Sequence, residues 1–418
     1  MPAFVYSNGK LGAEGVTLAD VANAFGTPCY VYSRAAIEQQ WTTLNNALGN
    51  RNHLICYAVK ANSSLAVLNI LARLGSGFDI VSAGELHRVS RAGGDTSKVV
   101  FSGVGKREDE LEYALNQGIK CFNIESRDEL SRLDKIAARA KKRAPVSIRV
   151  NPDIDVATHP YIATGLKENK FGIPHTEVFA IYEQAKGMDN IEITGIDCHI
   201  GSQIMELDSF TDALARLAEL VDELEQKGIA LQHIDVGGGL GIQYHEEMPP
   251  SLEDYARAIL EHLADGKHQL VIEPGRCITG NAGILLTRVE YLKQTTYGNF
   301  AIVDAAMNDL LRPALYNAWH DVLPVEETAG RDTAAIYDIV GPVCESGDFL
   351  GRGRSLAVNK GDLLAVCSAG AYGFVMSSNY NSRPRVCEVM IDKDKVYEIR
   401  KRETMDDLMR GEFLLPDD

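Results

Sequence analysis

Long apolar runs are missing from this chain: no stretch approaches the roughly 20 consecutive apolar residues that a membrane-crossing helix requires. The N-terminus, MPAFVYSNGK, has neither the basic start nor the apolar core of a signal peptide. The eight cysteines form no CxxC pair, and no His/Cys cluster has zinc-ligand spacing. These absences predict reduced thiols, no metal site and a cytoplasmic protein. Positive charge is scarce too. With 42 Lys and Arg against 58 Asp and Glu, the formal charge is −16. That argues against nucleic-acid and anionic-membrane partners, which need a basic face to displace counterions. An anionic ligand must then be held by a few local arginines and helix ends.

What is present is enough apolar material, 45% of 418 residues, for one large domain and a smaller one. Short apolar or β-branched runs recur near 54–59, 78–81, 99–102, 121–124, 146–150, 193–199, 232–236 and 270–273. Segments with helical spacing lie between most of them, at about 64–74, 83–91, 108–117, 127–142, 177–186, 209–226 and 252–264. Ser63, Ser82, Ser126 and Ser251 stand where helix caps belong. Eight strand-helix alternations predict an α/β fold, a (β/α)8 TIM-like barrel over 30–283. No sequence repeat accompanies the structural one. Beyond Gly283 strand-like alternation takes over in ILLTRVEYL, NFAIVDA, AAIYDIVGP, DLLAVCSAG and RVCEVMID, which predicts an all-β domain, a sandwich or barrel, over 284–418. Phe4–Tyr6 and Cys29–Tyr32 are strand-like but precede the first barrel run. Residues 1–29 are therefore assigned to the β domain, with the barrel inserted between.

Barrel chemistry gathers at the C-terminal ends of the strands, so the residues ending these runs form one candidate list. They are Lys60, Asp79, Arg149, His199, Gly237, Gly238, Gly239, Glu273 and Arg276. Each has a structural alternative: Lys60 with its stem on the barrel rim, Asp79 capping a turn, Arg149 paired with a nearby acid, His199 in the core. Converging on one face, they are hard to explain as packing, since every buried polar group needs a partner. A lysine ending a buried strand loses its proton easily and suits a Schiff base. The segment DVGGGLG, Asp235–Gly241, suits a phosphate through successive backbone amides, although glycines alone can mark a tight turn. It is not a dinucleotide fingerprint, because Ile242 stands at the third glycine position. With EPGR, Glu273–Arg276, following the next strand, it matches the usual place of barrel phosphate sites. A Schiff-base lysine and a phosphate site in one barrel suggest pyridoxal 5'-phosphate, with Glu273 an anion suited to the pyridine nitrogen.

Six motifs, YAVKAN (Tyr57–Asn62), HIGSQ (His199–Gln203), DVGGGLG, EPGR, GPVCESGD (Gly341–Asp348) and AGAYG (Ala369–Gly373), resemble those of the fold-type III pyridoxal-phosphate decarboxylases, most closely the diaminopimelate decarboxylases. TGLKENKFG, Thr164–Gly172, adds to the likeness, which runs over nearly the whole chain. The resemblance implies an alanine-racemase-like two-domain fold and decarboxylation of meso-2,6-diaminopimelate to L-lysine and carbon dioxide, the last step of lysine biosynthesis. It implies that Lys60 carries the cofactor, His199 stacks on its ring and Glu273 meets the ring nitrogen. Ser202, Gly239, Gly275, Arg276 and Tyr372 help bind it, largely at the phosphate. Arg276, Arg312, Tyr316, Glu345 and Tyr372 hold the distal end of the substrate. Cys344 protonates the carbanion and, with Glu345, reaches the site from the second subunit of a homodimer. The polar connection at 159–170 is implied to close over the substrate, although a loop of this length can be passive.

The bland reading of Cys344 is a small buried hydrophobe. Four rival functions stand beside the main one, among them an alanine-racemase-like activity, which Glu273, favouring a deep electron sink, and the thiol acid of the CES loop disfavour. A decarboxylase of the same fold could act on ornithine, arginine, lysine or carboxynorspermidine. These lack a distal carboxylate, whereas Arg312 with Glu345 suits a distal amino acid. A Schiff-base aldolase has no need of the β domain, and a non-catalytic relative has no need of Lys60, His199, Glu273 and Cys344 together.

Overall fold

The computed structural model describes residues 2–151, 170–264, 266–327 and 334–416. It forms two compact units: Glu38–Gln243 with Glu247–Ile278, and Met1–Ile37 with Tyr244–Glu246 and Thr279–Asp418. The expected connection at 159–170 falls almost wholly outside the described residues.

The first unit is a closed barrel of eight parallel strands: β1 (His53–Ala58), β2 (Gly77–Ile80), β3 (Val99–Phe101), β4 (Cys121–Ile124), β5 (Ala144–Asn151), β6 (Ile191–Asp197), β7 (His233–Asp235) and β8 (Gln269–Ile272). Closure is made by β8 on β1, with Leu270 opposite His53. Helices Leu65–Arg73, Ala83–Arg91, Glu108–Gln117, Arg127–Ala140, Val178–Lys186, Asp208–Gln226 and Leu252–His262 connect them. Three expected caps are made: Ser82, Ser126 and Ser251 accept from the amides of Glu85, Glu129 and Asp254. Ser63 is not a cap. The helix after β1 begins at Leu65, and the N-cap position falls to Ser64, whose side chain makes no capping bond.

Pairing register decides what the barrel encloses. Opposed residues run Ala58–Asp79–Val100–Cys121 around one side and Arg149–Asp197–Asp235–Val271–Leu54 around the other. Partners in a parallel sheet face the same way, and residues two apart along a strand share that face. Cys56, Val100, Cys121 and Val271 therefore pack together as an apolar layer. Asp79, Asn123, Arg149, Asp197 and Asp235 belong to the same inward set, toward the C-terminal ends. Gly195 is required by this packing, since a Cβ there would lie 2.2 Å from Nε2 of His233.

In the second unit a sheet runs in the order Phe349–Leu356, Ala335–Val340, Asn299–Val303, Gly283–Gln294, Cys29–Ser33, Cys387–Asp392, Lys395–Arg400. Leu363–Val366 pairs with Gly283–Gln294 and with Val322–Pro324. The N-terminal strands form a separate three-stranded sheet, Val5–Ser7, Lys10–Ala13 and Val16–Thr17. Its Leu11 and Ala13 share one core with Val31, Ile284, Leu286 and Val389, so both ends of the chain build this unit. The strand Cys29–Ser33 belongs to this sheet, because it pairs on both sides, with Gly283–Leu286 and with Cys387–Ile391. The division therefore falls at 37/38 rather than 30 and at 278/279 rather than 283. The unit is not purely β, since it also holds helices Leu18–Phe25 and Arg312–Tyr316. Among the described residues no helix is long and apolar enough to cross a membrane.

Candidate active site

Lys60 lies in a one-turn 3-10 helix, Val59–Ala61, directly after β1 rather than in the strand. Register explains its partner. Ala58 opposes Asp79, and two residues further on the Lys60 ammonium turns back to Oδ2 of Asp79 at 2.7 Å. Asp79 is fully buried, whereas the lysine side chain is 34% exposed. Ion pairing to a neighbouring strand, not desolvation alone, sets its environment.

The floor of the site is a carboxylate cluster. Oxygens of Asp197, Asp235 and Glu273 all lie within 4.8 Å of one another, and all three residues are buried. Burial, reinforced by Asp235, Asp79 and Asp197 and opposed by Lys60, holds the Glu273 carboxyl well above the usual range. Burial and Asp235 do the same to Asp197, against the pull of Arg149. Asp235 is pushed up to about 7 by burial first. Ser102 Oγ and Asn123 Nδ2 each donate to Oε1 of Glu273 at 3.4 Å. Three such carboxylates could suit a divalent cation, but countercharge is already built in. Arg149 donates to Oε1 of Glu125 at 2.7 Å and lies 3.9 Å from Asp197. Burial works against its charge, yet Glu125, Asp197 and Glu273 outweigh it and keep the guanidinium protonated.

His199, two residues past β6, is kept neutral: burial first, then Arg149 and Lys60, push its pKa well down. Its Nδ1 accepts from the Gly238 amide at 3.2 Å, so the proton sits on Nε2. The glycine run works differently from the expected row of offered amides. Gly237 N–H is bonded to Asp235 Oδ1 at 2.9 Å and Gly238 N–H to His199. These two residues instead permit close approach, since a Cβ on Gly238 would lie 2.0 Å from the Glu273 carbonyl oxygen. Gly275 sits against the Cβ atoms of Ala58 and Ala61. Arg276 donates to Ser202 Oγ at 2.8 Å. The barrel thus carries an acid-rich group around Glu273 and an Arg276–Ser202 donor pair.

The remaining candidates lie in the second unit. Arg312 is 7% exposed, at the start of Arg312–Tyr316, with its guanidinium 4.9 Å from the Tyr244 ring centroid and 5.9 Å from that of Tyr316. Tyr372 is half-buried and adopts φ +56°. Cys344 and Glu345 occupy an exposed loop whose base is held by Asp348, which accepts from the amides of Met307 and Val343. Glu345 accepts from the Tyr380 hydroxyl at 2.7 Å. Cys344 is thus no core hydrophobe, whereas Cys277, next to Arg276 in sequence, is buried. Glu125, Asp197, Asp235, Ser102 and Asn123 are absent from the sequence-derived list. The visible signal was an acid inside an apolar strand, in GID and HID.

A family profile described as the pyridoxal-binding domain of pyridoxal-dependent decarboxylases matches residues 34–280. A diaminopimelate decarboxylase of Pseudomonas aeruginosa is 59% identical over 417 residues, covering all of both chains. The crystal structure of the Helicobacter pylori diaminopimelate decarboxylase with L-lysine is 42% identical, with a TM-score of 0.91, over 94% of this chain and 98% of that one. The M. jannaschii enzyme with L-lysine is 34% identical, with a TM-score of 0.94, over 99% and 98%. Likeness at this level over both units, added to the Lys60 and Glu273 constellation, places the chain in the diaminopimelate decarboxylase family of pyridoxal-dependent enzymes.

Proposed function

We infer that this chain is a pyridoxal-phosphate-dependent carboxy-lyase that converts meso-2,6-diaminopimelate to L-lysine and carbon dioxide, closing lysine biosynthesis. The observation that carries it is the pairing of Lys60 with Asp79 above the buried Glu273 cluster, in a chain 59% identical to a diaminopimelate decarboxylase. The barrel residues fit the cofactor. Asp79 Oδ1, Asp197 Oδ1 and Asp235 Oδ2 are buried acceptors without a hydrogen-bond partner among the described residues, which suits a ligand bringing a protonated ring nitrogen. Arg276 and Ser202 suit its phosphate.

When bound, the cofactor supplies an electron-accepting ring for the pair left by the departing carboxylate. Lys60 holds the cofactor aldehyde, and Asp79 fixes the approach of the amine. Glu273 would meet the protonated ring nitrogen, whose positive charge counters the burial that raises the carboxyl's pKa. Neutral His199 offers a flat ring for stacking, and Ser202, Gly239, Gly275, Arg276 and Tyr372 secure the phosphate end. Gly237 and Gly238 serve by bringing His199 and Glu273 close. Arg149 opposes protonation of Asp197.

Arg276, Arg312, Tyr316, Tyr372 and Glu345 hold the distal amino acid group, whose carboxylate wants guanidinium and phenol donors and whose ammonium wants an acid. The bond from the D-carbon to its carboxylate breaks, carbon dioxide leaves, and Cys344 delivers a proton to that carbon. An exposed thiol beside an exposed acid on one loop supports donation of both across a homodimer. Eight free thiols fit a cytoplasmic setting. Carbon dioxide release from meso-diaminopimelate, L-lysine, L-ornithine and L-arginine at equal concentration tests the reading. Release from diaminopimelate alone supports it, and release from another substrate instead overturns the distal-pocket assignment.

A further inference from the structure

Arg312 is held by contacts of different kinds. A guanidinium 7% exposed, resting on the faces of Tyr244 and Tyr316, gains attraction from both rings but little angular definition. A directional contact comes from His320, a fully buried residue that no sequence motif singled out. Its Nδ1 lies 2.8 Å from the carbonyl oxygen of Cys367. A carbonyl only accepts, so Nδ1 carries the proton and Nε2 keeps its lone pair. Arg312 Nε donates to that lone pair at 3.4 Å, a long bond to a charged donor. One further contact meets the ring and two hold the backbone that carries it. Tyr244 meets it edge-on at 5.1 Å. Arg354 donates to the His320 carbonyl at 2.9 Å, and the following segment, Val322–Pro324, pairs with Leu364–Val366, next to Cys367.

We propose that His320, as the neutral Nδ1–H tautomer tethered to the Cys367 carbonyl, is the positioning residue that orients the Arg312 guanidinium for the substrate's distal carboxylate. This rests on the assignment of Arg312 to that carboxylate. With Nε–H directed at the imidazole, the edge that carries the two terminal nitrogens, the paired donors that match a carboxylate, is turned away from His320. A protonated or differently tethered ring would point an N–H at the guanidinium and lose this alignment.

The test separates the two ring nitrogens in the holoenzyme. His320→Asn can keep the bond to Cys367 but falls short of Arg312, whereas His320→Gln reaches the Nε2 position and restores an acceptor. In His320→Asn, KM for meso-diaminopimelate should rise about tenfold, equivalent to about 1.4 kcal/mol, with kcat little changed. Inhibition by L-lysine, which retains the distal carboxylate, should weaken by the same factor, inhibition by cadaverine, which lacks it, should not change, and His320→Gln should recover most of the loss. Unchanged KM and lysine inhibition in His320→Asn, or equal weakening of lysine and cadaverine, would overturn the inference. Arg312→Ala separates the two readings. If it too leaves KM unchanged, the Arg312 assignment falls with the inference; if it alone raises KM, only the role of His320 falls. Should His320→Asn fail to fold, 15N NMR of histidine-labelled wild-type enzyme reads the tautomer directly. Protonation at Nδ1 alone is expected, and a proton on Nε2 of His320 refutes the proposal.

Discussion

Replacing Arg149 by methionine tests the electrostatics of the barrel interior most directly. The guanidinium is buried, 2.7 Å from Glu125 and 3.9 Å from Asp197. At an effective dielectric of about 20 the shorter pair is worth roughly 6 kcal/mol of Coulomb attraction, much of it offset by desolvation of both ions. Methionine keeps most of the volume but leaves the acids without their cation, so the loss is about 3–5 kcal/mol, the usual result of breaking a buried pair. For a unit of this size that lowers the unfolding midpoint by roughly 10 °C. The pH dependence distinguishes charge from packing. A carboxyl whose folded pKa lies above its unfolded value binds more protons when folded, so its stability contribution is full in acid and falls as pH rises through the window. Asp197, Glu273 and Asp235, the last at about 7, are all of this kind. The wild-type apoprotein should therefore lose stability between about pH 4 and pH 7. Arg149 restrains the rise at Asp197. Its removal widens the window upward, so the deficit of Arg149→Met should be small near pH 5 and largest near pH 8. Thermal unfolding of the apoproteins followed by circular dichroism measures this, and adding Glu125→Gln should recover part of the loss. An equal deficit at both pH values, or coincident midpoints near pH 8, would refute the argument.

Glu273→Gln should lower kcat by about 10²–10³-fold while cofactor absorbance is retained, because a neutral amide no longer stabilises a protonated ring nitrogen; undiminished kcat in steady-state assays would contradict this. Gly238→Ala forces a methyl to 2.0 Å from the Glu273 carbonyl oxygen, so it should cost about 1–3 kcal/mol in denaturant unfolding and reduce turnover as well. Cys344→Ala should slow product formation about 10²–10⁴-fold, or misplace the delivered proton in deuterium oxide, with the cofactor spectrum intact. Wild-type turnover and stereochemistry in that variant would remove the thiol from the mechanism.

The eight strands were legible because each is a short apolar run bounded by a helical period, and observed boundaries lie within about two residues of those read from the sequence. Ends of strands were legible for the same reason, which is why Asp79, Arg149, His199 and Glu273 could be listed before any geometry was known. Register was not. Nothing local tells that Arg149, Asp197 and Asp235 stand side by side on three strands, since that depends on hydrogen bonding between segments about 40 residues apart. The inner carboxylates were therefore missed, although an aspartate within ITGID or QHID is a visible anomaly in an apolar strand.

The glycine run shows why a motif does not carry its own mechanism. A row of glycines suggests amides offered to a phosphate, and two of these amides turn out to be bonded to Asp235 and His199. What the sequence demanded at Gly238 was the lack of a side chain, so that the turn after β7 could pass within contact of the Glu273 backbone. His320 makes the complementary point. It lies outside every recognised motif, yet its tether to Cys367 and its contact with Arg312 give it a defined tautomer and direction. Residues that touch ligand leave marks in motifs because the ligand is shared. Residues that aim them are selected by distances that only the fold supplies, so they are found by asking what holds each buried charge in place.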